Sequence, residues 1–79
     1  MILEARMLDF FDRQVADMIA EKYALEDRKA VRLFLESETY QMLLDQETGI
    51  YMMSPHIIFD LWESEQVTGN PRNSRYIRE

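Results

Sequence analysis

The residues best suited to chemistry in this chain are His56, Asp60 and Glu63, spaced four and three apart. On a helix such spacings bring an imidazole and two carboxylates toward one edge, as a mixed-ligand metal site would require. The chain holds no cysteine and no second histidine, which excludes a thiolate site, a zinc finger or a two-histidine site within one chain. What is left is a weak ligand set, and a surface histidine near a helix start explains the same pattern. Ser37, His56 and Asp60 can be assembled on paper into a Ser–His–Asp triad. The chain has no nucleophile elbow and no Gly-rich oxyanion loop, and it is too short to build a pocket around the three. Its only glycines, Gly49 and Gly69, exclude a phosphate-cradling loop, and its carboxylates are dispersed in the manner of a solvated surface. No catalytic residue, metal or cofactor is expected, and the protein reads as non-enzymatic.

Binding chemistry fits better. Met42, Met52 and Met53, with Tyr40, Tyr51 and Trp62, are adaptable or amphipathic side chains of the kind enriched at interfaces. In so short a chain the same residues are needed for a core. The end of the chain, TGNPRNSRYIR, offers three guanidiniums with Tyr76–Ile77 as an anchor. It reads either as a frayed terminus or as a segment that orders on an acidic partner. The partner-binding residues expected are Tyr51, Phe59, Trp62, Arg72, Arg75 and Tyr76.

Three helices must position these groups. Residues 3–23 place Leu8, Phe11, Val15, Met18 and Ile19 on one stripe, with no Gly or Pro to interrupt it. The boundary after Tyr23 is soft, because Ala24 and Leu25 can extend a helix. A second helix, 26–45, opens on Glu26 or Asp27, whose charge suits the positive end of the helix dipole. Glu36-Ser37-Glu38-Thr39 is a run of poorer helix formers. Either the helix continues through it, bent, or Ser37 caps a second short piece; one helix is the favoured reading. Residues 45–53 read as a connector, with Ile50–Met53 lying extended across the bundle as an apolar strap. The third helix, 54–67, has Ser54 as N-cap, Pro55 at its first position, and Gly69 then Pro71 as stop signals. It is unusually apolar, and Phe59 and Trp62 are read as lying on opposite edges, so that one of the two stays exposed for a partner. The expectation is an all-α, small three-helix bundle, a single domain over 1–68 with a polar tail over 69–79.

Seventy-nine residues bury only a modest core. The net charge of −6 is unevenly spread: residues 33–71 carry seven acids and no Lys or Arg. Such a surface is either ordinary solvation or a face that meets a basic partner, and it disfavours direct nucleic-acid binding. No stretch approaches the ~18 apolar residues of a membrane span, and residues 1–5 lack the features of a signal peptide. A soluble, cytoplasmic protein away from membranes is expected.

The run AVRLFLESETYQMLLDQETGIYMMSPHIIFDLWESE, followed by TGNPRNSRYI, resembles a group of short, uncharacterised bacterial helical proteins with an LF..S.TY.ML.D..T..Y..SP..IFD.WE.E pattern. The resemblance marks Ser37, Thr39, Tyr40, Asp45, Tyr51, Ser54, Pro55, Asp60, Trp62 and Glu65. It implies an antitoxin or accessory subunit of a toxin-like partner. The function expected is a protein–protein interaction module, acting as a homodimer or within a hetero-complex. The alternative is an acidic nucleic-acid mimic that inhibits a DNA-binding protein.

Overall fold

In the computed structural model, which describes residues 5–71, the first helix, α1, spans Ala5–Tyr23. It turns Phe11, Val15, Ala16, Ile19 and Ala20 into the core; Phe11, Val15 and Ile19 belong to the expected stripe, Leu8 packs against the core, and Met18 instead lines a groove. It stops without glycine or proline. Ala24 takes a left-handed conformation, φ 54°, and Leu25 N–H donates to Ala20 O across 3.0 Å. That is the long bond of a Schellman cap, with alanine where glycine is the usual residue. Leu25 then packs on the core. The three-residue turn lets α2, Asp27–Leu35, fold back on α1, and these two helices share the most extensive contact between elements. Ala30 and Phe34 of α2 are fully buried.

The favoured single helix over 26–45 is corrected. A separate helix, α3, spans Glu38–Leu44 with Ser37 as its N-cap, so the described residues hold four α-helices. The fold remains an all-helical bundle. The break has a local cause and a distant one. Locally, Ser37 Oγ donates to Phe34 O (2.6 Å) and accepts from Tyr40 N–H (3.1 Å). From the last described helix of the chain, the Glu65 carboxylate accepts Glu38 N–H, Thr39 N–H and the Thr39 hydroxyl, each at 2.9 Å. In an unbroken helix the N–H groups of residues 38 and 39 would be spent on carbonyls one turn back. Here the side chains of Glu65 and Ser37 take the N–H groups of all three opening residues of α3.

The connector is also corrected: it is coiled, not extended. Asp45 Oδ1 accepts Glu47 N–H at 3.0 Å, and a 3-10 turn follows over Gln46–Thr48. Gly49 at φ 73° opens a second turn over Ile50–Met52. Ile50 is buried, Tyr51 and Met53 are half-buried against the core, and Met52 is exposed. The last helix, α4, spans Pro55–Thr68 and keeps its expected signals. Ser54 Oγ accepts Ile57 N–H at 3.4 Å, and Gly69, at φ 83°, donates its N–H to Glu65 O at 2.7 Å. Ile58, Leu61 and Trp62 of α4 complete the core, and Pro71 is buried beyond its end. No described helix is long and apolar enough to cross a membrane.

Candidate functional site

Of the groups proposed from sequence for chemistry, Ser37 and Glu63 are engaged in contacts within the fold. The Ser37 hydroxyl is buried and occupied by its capping bonds. His56 is exposed on the first turn of α4. Among the described residues no three His, Asp or Glu side chains are grouped so as to hold a metal ion.

The residues proposed for binding separate into three sets. Trp62 is core, at 4% exposure. Its ring meets Tyr23 edge-on at 5.9 Å and stacks on Phe59 at 6.3 Å with 13° between planes. The placing of Phe59 and Trp62 on opposite helix edges is therefore corrected. Residues three apart are helix neighbours, so Phe59 shields Trp62 and keeps its own outer side half-exposed. Tyr51 is half-buried against the core, on the second 3-10 turn. Arg72, Arg75 and Tyr76 lie outside the described residues.

Around the aromatic group, α1 and α4 are joined by polar contacts. The Glu63 carboxylate accepts from both Lys22 Nζ and the Tyr23 hydroxyl, the latter at 2.6 Å. Partial burial works against this carboxylate, but the two hydrogen bonds outweigh it and lower its pKa. The same bonds raise Lys22 and Tyr23, whose protonated forms donate to Glu63. Lys22 Nζ also stands 5.7 Å from the ring centroids of Tyr23 and Phe59, within the range of a cation–π contact.

Beside this group an open groove of about 590 Å³ runs between α1 and α4. Met18 and Phe59 supply its apolar surface, Asp17 and Glu21 line it with negative charge, and Lys22 and His56 with cationic or polar nitrogen. A second groove, between α1 and α2, is lined by Asp9, Asp12, Asp17 and Asp27 with Arg13 and Val31. Asp12 Oδ1 is buried there without a hydrogen-bond partner, and burial followed by the charge of Asp9 raises the Asp12 pKa. The sequence concentrates unbalanced acid in residues 33–71. In the fold Glu63 and Glu65, two of the seven, make contacts to other helices, while residues balanced in sequence supply an acid-lined groove.

Sequence reasoning missed Lys22, Tyr23 and Glu63 as a group, because their partners are about forty positions apart. It also did not single out Phe10, which is 51% exposed on α1. The groove has an apolar floor, Met18 and Phe59, between side chains of opposite charge. Comparison with family models, curated proteins and solved structures finds no match to this chain.

Proposed function

We propose that this protein is a non-enzymatic protein–protein interaction module whose contact surface centres on the α1–α4 groove. The observation that carries the reading is Phe59: half-exposed, stacked on a buried tryptophan, and flanked by charges of both signs. A rigid aromatic in a charge-rimmed groove is the kind of anchor on which interfaces concentrate their binding energy. The antitoxin-like or accessory role implied by the sequence resemblance is one form of this reading, with Asp17 and Glu21 facing a basic rim on the partner. The nucleic-acid mimic is less well supported, since Glu63 and Glu65 are committed within the fold.

The test is the native mass of the particle drawn from its own cells, for the wild type and for Phe59→Ser, with circular dichroism to confirm that the variant folds. The wild type should be heavier than one 9.5 kDa chain, and the variant should fall to the mass of a single chain. A wild-type particle at single-chain mass would refute the reading.

A further inference from the structure

We infer that the occupant of the α1–α4 groove is a second copy of this chain, seated by an antiparallel contact between the two α1 helices. The inference rests on the function proposed above and names its partner. Arg6, Phe10, Arg13, Gln14, Asp17 and Glu21 are all exposed and fall on one face of α1. Charge along this face shifts from one half to the other: Arg6 and Arg13 lie on the first half with Asp9 at their edge, Asp17 and Glu21 on the second with Lys22 at theirs, so the halves are net positive and net negative. Its apolar features are divided the same way. Phe10, 51% exposed, lines a depression on the first half together with Arg6, Asp9 and Arg13. The groove floored by Met18 and Phe59 opens on the second half, and Gln14 lines both depressions.

A parallel neighbour would set like charge on like charge and knob on knob. An antiparallel copy related by a two-fold axis near Gln14 sets Phe10 over the second copy's Met18 and Phe59. The same rotation brings Arg6 within a helical turn of the second copy's Glu21, and Arg13 within a turn of its Asp17. Lys22, at the margin of the acidic half, is held by Glu63. Each contact is made twice, as an isologous interface requires. A partner of uniform charge would match only half of the strip. The existing Asp9–Arg13 pair, 3.7 Å long with both side chains 72% exposed, is of the weak surface kind and does not prevent Arg13 from reaching across.

The experiment is sedimentation equilibrium of the purified full chain and its variants, with helicity followed by circular dichroism. The wild type should be dimeric. Arg13→Asp and Asp17→Arg should each weaken the dimer about tenfold or more, since each creates two like-charge contacts. The double variant should recover the dimer, which loss of folding cannot mimic. Phe10→Ser should be monomeric and fully helical. Because the chain has no cysteine, Gln14→Cys introduces a lone thiol near the axis and should oxidise to a disulfide-linked dimer far faster than Glu47→Cys. A wild type that is monomeric at its highest soluble concentration overturns the inference, as does a dimer indifferent to Phe10→Ser and to the charge reversals. If the cellular particle instead contains a different protein, lost on Phe59→Ser, the second copy is refuted and the interaction module stands. A single-chain mass both in cells and in solution removes both.

Discussion

Removing the Glu65 carboxylate should destabilise this fold well beyond what loss of a solvent-facing carboxylate would. Glu65 accepts three hydrogen bonds at 2.9 Å, two from the opening N–H groups of α3 and one from the Thr39 hydroxyl. Thr39 is fully buried, so in Glu65→Ala its hydroxyl loses a partner that water cannot readily replace. The Glu38 N–H is exposed and recovers a water, so it contributes little. An ordinary N-cap is worth about 1 kcal/mol, and a hydrogen bond to a charged group about 1.5–3 kcal/mol. Counting the Thr39 bonds in full and the Glu38 bond lightly gives a loss of about 2–3 kcal/mol. For a domain of this size that lowers Tm by roughly 8–20 °C. Glu65→Gln keeps one acceptor oxygen for Thr39 and should cost about 1 kcal/mol. Urea denaturation followed by circular dichroism measures both losses. The decisive control is a double-mutant cycle with Thr39→Val, for which a coupling of about 1 kcal/mol is expected. A Glu65→Ala variant within 0.5 kcal/mol of wild type, or zero coupling, would refute the account of why α2 and α3 are separate helices.

Two further changes test local features of α1. Ala24→Gly relieves a left-handed alanine, φ 54°, at the C-terminal cap and should raise stability by up to ~1 kcal/mol after glycine's own entropy is counted, read as an increase in the urea midpoint at unchanged m-value. Asp12→Asn replaces a carboxylate whose pKa is raised by burial and by Asp9. A carboxyl raised in the folded state binds more protons folded than unfolded, so its contribution to stability falls as pH rises through the interval from the unfolded to the folded pKa. The variant should therefore be more stable than wild type by about 0.5 kcal/mol at pH 7. The advantage should disappear in the acid range, where both states of the wild type are protonated. An advantage that grows as pH falls would reverse the sign and refute the assignment.

What could be read from the sequence follows the range of the interactions involved. Both ends of α4 were legible because Ser54, Pro55 and Gly69 act within a few residues of where they stand. The core stripe of α1 was legible because periodicity is a local property. The α2–α3 break was half-legible: Ser37 offered a cap, but the choice against one bent helix depends on Glu65, twenty-six positions beyond Thr39. The end of α1 carried no local signal, since alanine in a left-handed conformation is held there by the packing of Leu25 and by the return of α2. The coiled connector was recoverable in principle. Asp45, Thr48 and Gly49 are turn-forming side chains, and Thr48 Oγ reaches Met42 O at 2.6 Å and Asp45 O at 2.8 Å. The apolar run Ile50–Met53 outweighed them in the reading. Phe59 and Trp62 were read as a pair of which one stays exposed; Phe59 is half-exposed and Trp62 belongs to the core.

The residues that the resemblance marks say where function is to be sought, mainly by exclusion. Ser37, Thr39 and Glu65 meet at the start of α3, Asp45 holds the turn that follows, and Ser54 and Pro55 open α4. Trp62 fills the core. Each of these residues has a structural task in this fold. The surface proposed for binding lies on other residues: Phe10, Arg13, Asp17 and Met18 of α1, which precedes the marked stretch, and Phe59 within it. A bundle whose α1 gives one face to the core and leaves the other exposed can change its partner by changing the outer face of that one helix. On that reasoning, exchanging the exposed residues of α1 should alter what the protein binds and leave its stability nearly unchanged, whereas exchanging the marked residues should do the reverse.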